Sequence, residues 1–107
     1  MELEQYFHQG RFKLDVIPHE MKMSHWIYAP VLTDTLSNHC YFNLTNKIWD
    51  LSSVKETEFG VTLLIEKYSE NQEQYEIQIF IDKNEALIND TAISIFEIDA
   101  FLNKLVP

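Results

Sequence analysis

Phe59–Asp82, FGVTLLIEKYSENQEQYEIQIFID, is the stretch that decides the fold. Val61, Leu63 and Ile65 alternate with Thr62, Leu64 and Glu66, and Tyr75, Ile77, Ile79 and Ile81 alternate with Glu76, Gln78 and Asp82. Side chains on a strand point in turn to its two faces, so period two marks two half-buried strands. Ser69–Gln74 has no apolar residue and is the turn between them. The stretch is a β-hairpin with its isoleucines against a core.

Leu64 and Phe80 break the alternation, and parity puts both on the face opposite the isoleucines. Matching inward to inward residues across the turn makes the two directly opposed or diagonal neighbours, in contact. Either a second layer covers that face or an apolar spot there waits for a partner.

Working outward, Phe12, Leu14 and Val16 alternate with Arg11, Lys13 and Asp15, a first strand that Pro18, lacking a ladder donor, should end. Met1–Gly10 has no sustained pattern. Met21–Thr35 is apolar on both faces, as in a central strand or one crossing from core to interface, with Pro30 expected to bend or break it. Asp34–Asn38 reads as a turn, His39–Leu44 as a short strand, Thr45–Lys47 as a turn and Ser52–Glu58 as an exposed edge strand or loop. Ala86–Ile88 and Thr91–Ile93 flank Asn89-Asp90 as a second, smaller hairpin.

At the C-terminus Ser94 and Glu97 have capping-box spacing, and Ile95, Ile98, Phe101, Leu102 and Leu105 form one helical stripe. Glu97 and Asp99 suit the positive end of that helix and Lys104 the negative end. The expected architecture over residues 1–107 is a single α+β domain: a mainly antiparallel sheet, a meander of about five to seven strands, with a C-terminal α-helix, Ile95–Leu105, packed on one face.

A chain of 107 residues, 46 % apolar and 13 % aromatic, can bury a core without disulfides or a structural metal. Its net charge is −9, and the charge is uneven: residues 1–50 carry 6 acids and 4 bases, residues 51–107 carry 11 acids and 4 bases. A negative field repels nucleic acid and anionic membrane surfaces, so neither is expected as a partner, and a basic protein or cationic ligand complements it. Solubility alone also accounts for an acidic surface. One cysteine, Cys40, and no signal-like run in Met1–Gly10 point to a reducing, cytoplasmic location. Asn43-Leu44-Thr45 fits the glycosylation acceptor pattern but is idle without secretion.

The residues offer little for catalysis. Phosphate cradles need glycines, and only Gly10 and Gly60 are present. His8, His19, His25, His39 and Cys40 lack paired metal-ligand spacing, so neither metal nor cofactor is expected. Cys40 with His25 and Asp34 would make a nucleophile arrangement only in a fold that brings them together, and Cys40, in an apolar run, reads as a small buried hydrophobe. Glu56 with Glu58 lies in a polar stretch where raised pKa values are not expected. On these grounds the chain is not expected to be an enzyme.

What remains is a surface for a protein. The acidic turn supplies Glu70, Glu73 and Glu76, the second face of the hairpin supplies Leu64 and Phe80, and Tyr68 with Trp49, next to Asp50 and expected to be partly exposed, supplies aromatic anchors. In size, charge and lack of a catalytic constellation the chain resembles the immunity proteins of bacterial contact-dependent and polymorphic toxin systems. That resemblance has no motif behind it and carries over no residue. It implies neutralisation of a basic toxin domain, such as a nuclease, by occlusion: the glutamates mimic substrate phosphates and speed association, and an aromatic anchor slows dissociation. The alternative is a small-molecule-binding or enzymatic domain with an apolar pocket lined by Trp26, Tyr28 and Phe42 inside a curved sheet. A homodimer through the edge around Val54 is a third option.

Overall fold

A computed structural model describes residues 3–45, 48–68 and 73–105. The fold is α+β and mainly antiparallel sheet. Among the described residues there are nine strands, more than the meander expected, divided between two sheets. The first sheet runs in order β1 (Leu3–Phe7), β2 (Phe12–Glu20), β3 (Trp26–Asp34), β4 (His39–Asn43). The second runs β5 (Trp49–Glu56), β6 (Gly60–Lys67), β7 (Gln74–Phe80), β8 (Glu85–Ile88), β9 (Thr91–Ser94). Within each sheet the strands pair antiparallel with their sequence neighbours, and between the sheets β5 lies against β3, where the Tyr28 N–H donates to Asp50 Oδ1 at 2.8 Å.

The two sheets share one core. Phe12, Leu14, Val16, Leu32, Tyr41 and Phe42 meet Trp49, Val61, Leu63, Ile65, Ile77, Ile79, Ala86 and Ile88. Two bulges adjust which side chains point inward. Leu32 pairs with Phe42 and Thr33 with Cys40, so Tyr41 is the extra residue, and both Tyr41 and Phe42 become buried. Likewise Leu51 pairs with Ile65 and Ser53 with Leu64, so Ser52 is extra and Val54 keeps its place opposite Leu63.

Both prolines thought to end strands are accommodated. Pro18 pairs with Tyr28 inside β2, where β2 has outrun β1, whose first described partner is Leu3 opposite Val16. Pro30 lies inside β3, and its carbonyl accepts the Leu44 N–H at 3.0 Å. In an antiparallel strand a residue's N–H and C=O point to the same side, so the missing donor faces away from β2 and breaks no bond of that ladder.

Two turns use the backbone as the residue types suggest. Asn89 and Asp90 have φ of 47° and 70°, the pair of positive values that a two-residue type I′ hairpin needs. After β3, Asp34 turns the chain: it ion-pairs with Arg11 (Nε to Oδ1, 3.0 Å) and accepts the Leu36 N–H and the Ser37 hydroxyl.

The helix is shorter than its stripe. α1 spans Ile98–Asn103, and the capping box does not form. Ser94 is the last residue of β9, where its Oγ accepts the Phe96 N–H and its carbonyl the Glu97 N–H. The stripe still does its packing: Ile95, Ile98 and Leu102 are buried in the shared core, with Phe101 and Leu105 against it. α1 lies by β4, where Asp99 Oδ1 accepts the Asn43 N–H at 3.1 Å, and among the described residues no helix covers the outer face of the β5–β9 sheet.

Candidate functional site

The register of β5–β6–β7 lays out the outer face of the second sheet in rows. Asp50, Glu66 and Gln74 form the first, Ser53, Leu64 and Glu76 the second, and Lys55, Thr62 and Gln78 the third, which continues through Leu87 to Ala92. Phe80 follows opposite Gly60. Apolar Leu64, Phe80 and Leu87, all half-buried, thus lie among Asp50, Glu66, Glu76 and Glu85.

Leu64 and Phe80 share this face, as parity requires, but do not touch. Leu64 opposes Glu76 and Phe80 opposes Gly60, so four register positions, about 13 Å, separate them. An even slip of register keeps every inward residue inward, which is why alternation alone could not set the pairing.

The remaining expected contacts divide. Trp49 is 0 % exposed, with its ring edge-on to Tyr75 at 5.6 Å and its Nε1 without a hydrogen-bond partner among the described residues. It is a core residue and offers no ring to a partner, because the ladder places it on the inward side, opposite Lys67. Asp50 and Tyr68 are half-buried and border one cleft. Glu73 is exposed and accepts the Tyr75 hydroxyl at 2.7 Å; Glu76 is exposed and accepts from Gln78 Nε2 at 2.7 Å. Glu70 lies outside the described residues.

Phe80 borders a groove of about 370 Å³ with Phe59, Ile81, Asp82 and Lys83. Lys83 Nζ lies 5.4 Å from the Phe80 ring centroid, and Phe59 is 64 % exposed. Phe59 is an exposed ring of this groove that was not among the expected contacts; it starts the quoted stretch but falls just before the alternation begins.

Where the two sheets meet at β3 and β5, a cleft of about 120 Å³ is lined by His25, Trp26, Ile27, Asp50, Glu66, Lys67 and Tyr68. Burial raises the Asp50 carboxyl above its ordinary value and the adjacent Glu66 raises it further, while the Tyr28 N–H acts the other way. Trp26 and Tyr28 are 50 % and 44 % exposed, whereas Phe42 is fully buried in the core. The three rings expected to line one apolar pocket therefore part company.

No nucleophile arrangement assembles either. His25 precedes β3 and Asp34 ends it, about 30 Å apart along an extended chain. Cys40 is exposed rather than buried, since the bulge at Tyr41 turns its neighbours inward instead. Its thiol is pushed up by desolvation and by Asp99, the reverse of what activation needs. Among the described residues no three His, Cys, Asp or Glu side chains are grouped to hold a metal ion, and no helix is long and apolar enough to cross a membrane.

Searches of protein-family models, curated proteins and solved structures find no match to this chain.

Proposed function

We propose that this protein is a binding module that neutralises a basic protein partner by occlusion, in the manner of a bacterial toxin immunity protein acting in the cytoplasm. The observation that carries the reading is the composition of the outer face of the β5–β9 sheet: half-buried Leu64, Phe80 and Leu87 set among Asp50, Glu66, Glu76 and Glu85, with Lys55 in these rows and Lys83 over the Phe80 ring as its bases. Such a face complements a positive surface with apolar contacts at its centre. The net charge of −9 adds long-range attraction for a basic domain. Binding there covers the partner's own substrate-binding surface, and no chemistry by this chain is required.

The gene neighbourhood supplies the test. If a large secreted protein with a basic C-terminal domain is encoded directly upstream, that domain is produced with and without this chain. Relief of its toxicity and a complex whose affinity drops steeply with salt support the reading, as do lost protection by Phe80→Ser and by Glu76→Lys. Toxicity that this chain does not relieve, or a complex indifferent to salt, refutes it.

A further inference from the structure

Asp50 and Glu66 are register partners on adjacent strands, so two carboxylates stand directly opposite each other on one face. Like charges in that arrangement destabilise a sheet. Each is held by one oxygen: Asp50 Oδ1 accepts the Tyr28 N–H at 2.8 Å, and Glu66 Oε1 accepts from Gln74 Nε2 at 2.6 Å. The second oxygen of each has no hydrogen bond among the described residues. Among the described residues the ion pairs are Arg11 with Asp34 and Lys13 with Glu4 and Asp15, all away from the cleft, so Lys67, which borders it, is not bridged to either acid. Trp26, half exposed, and Tyr68 bring aromatic rings to the lining, which His25 and Ile27 complete.

We propose that this cleft at the meeting of the two sheets is a site for the guanidinium group of an arginine side chain. The inference rests on the reading of a basic protein partner and names the side chain through which the partner is held. A guanidinium is planar and carries its donors in a rigid fork, so it can lie against an aromatic face while its N–H groups reach carboxylate oxygens. An ammonium is a compact, strongly hydrated point charge, with neither a flat face to stack on a ring nor a rigid fork to span two carboxylates. The cleft, about 120 Å³, suits a head group rather than a whole ligand. The Tyr28 and Gln74 hydrogen bonds fix the two carboxylates before binding, which lowers the ordering cost.

The test is an NMR titration of the full chain with N-acetyl-arginine amide. The neutral isostere N-acetyl-citrulline amide, N-acetyl-lysine amide and tetramethylammonium serve as comparisons. Saturable shifts are expected at the Trp26 indole N–H and the Asp50 and Tyr68 amides, with the citrulline compound roughly tenfold weaker or more. Asp50→Asn, which keeps an oxygen for the Tyr28 N–H, and Glu66→Gln should each weaken arginine binding by a similar factor while leaving the rest of the spectrum in place. Absence of a saturable shift, equal binding of the citrulline compound, or wild-type binding by both variants overturns the proposal. Equal binding of lysine or tetramethylammonium overturns the assignment to arginine. If arginine fails here while salt-dependent protection from the basic domain persists, the cleft inference alone falls; if arginine binds and no basic partner does, only the functional reading falls.

Discussion

Gly60 stands directly opposite Phe80 in the β6–β7 ladder, and a Cβ at position 60 would lie 1.8 Å from the Ile79 carbonyl oxygen. That neighbour is backbone and cannot rotate away. Gly60→Ala should therefore shift the hairpin strands and cost roughly 3 kcal/mol or more. Gly10→Ala is the comparison: φ there is +90° but nothing lies within 4 Å of a new Cβ, so only the backbone strain of about 1 kcal/mol is expected. Urea denaturation of the two variants checks the order, and equal losses would show that the close approach at Gly60 is relieved elsewhere.

The two faces of the hairpin should respond differently to truncation. Leu63 is fully buried in the shared core, so Leu63→Ala is expected to cost about 2–5 kcal/mol. Phe80 sits half-buried on the outer face, and Phe80→Ser should cost about 1 kcal/mol or less while abolishing partner binding. A loss at Phe80 as large as that at Leu63 would make the outer face part of the core.

Acid should loosen the turn after β3. Burial pushes the Asp34 carboxyl up, but the hydrogen bonds from Arg11, the Leu36 N–H and Ser37 outweigh it and hold the group below its ordinary 3.8. A lowered folded value contributes stability that is present above pH 3.8 and disappears as the pH falls through the folded pKa. Asp34→Asn is expected to cost about 1–3 kcal/mol at neutral pH, with the gap to wild type closing below the ordinary carboxylate range. Asp50 and Asp99 have the opposite sign, because burial raises both: their contribution is greatest in acid and falls as pH rises through their raised values. Thermal unfolding at a series of pH values separates the two behaviours.

Alkali has its own marker in Tyr41. Burial first, then Asp34, pushes its phenol up to about 12 from 10.0. The folded protein thus keeps this phenol neutral where the unfolded chain would ionise, and stability complete below pH 10 is lost between there and about 12. Tyr41→Phe should flatten that alkaline loss and change little at neutral pH, and an unchanged alkaline slope would count against it.

The hairpin and the second turn were legible because period two and Asn89-Asp90 are local signals that tertiary structure did not override. The helical stripe was legible as burial, not as helix: Ile95 packs inward before α1 begins, since β9 still holds Ser94. Other features depended on relations that single positions do not encode. The division into two sheets rests on where pairing stops, β1 has no alternation in LEQYF, and the bulges at Tyr41 and Ser52 change parity without a distinctive residue. Among the candidate contacts, Glu76, Leu64 and Phe80 lie on the face expected, whereas Trp49 is inward. The Asp50–Glu66 pair needed a register before it could be seen at all.

The strictly sequential pairing of both sheets bears on how the chain folds. Every ladder joins neighbours along the sequence, so each sheet can grow one hairpin at a time with short loop closures. Neither half can finish alone, because the inward residues of β1–β4 and of β5–β9 are buried in one shared core, together with Ile95, Ile98 and Leu102 from the C-terminal segment. Docking of the two sheets, which meet at the β3–β5 approach, is therefore expected to make unfolding a single cooperative transition.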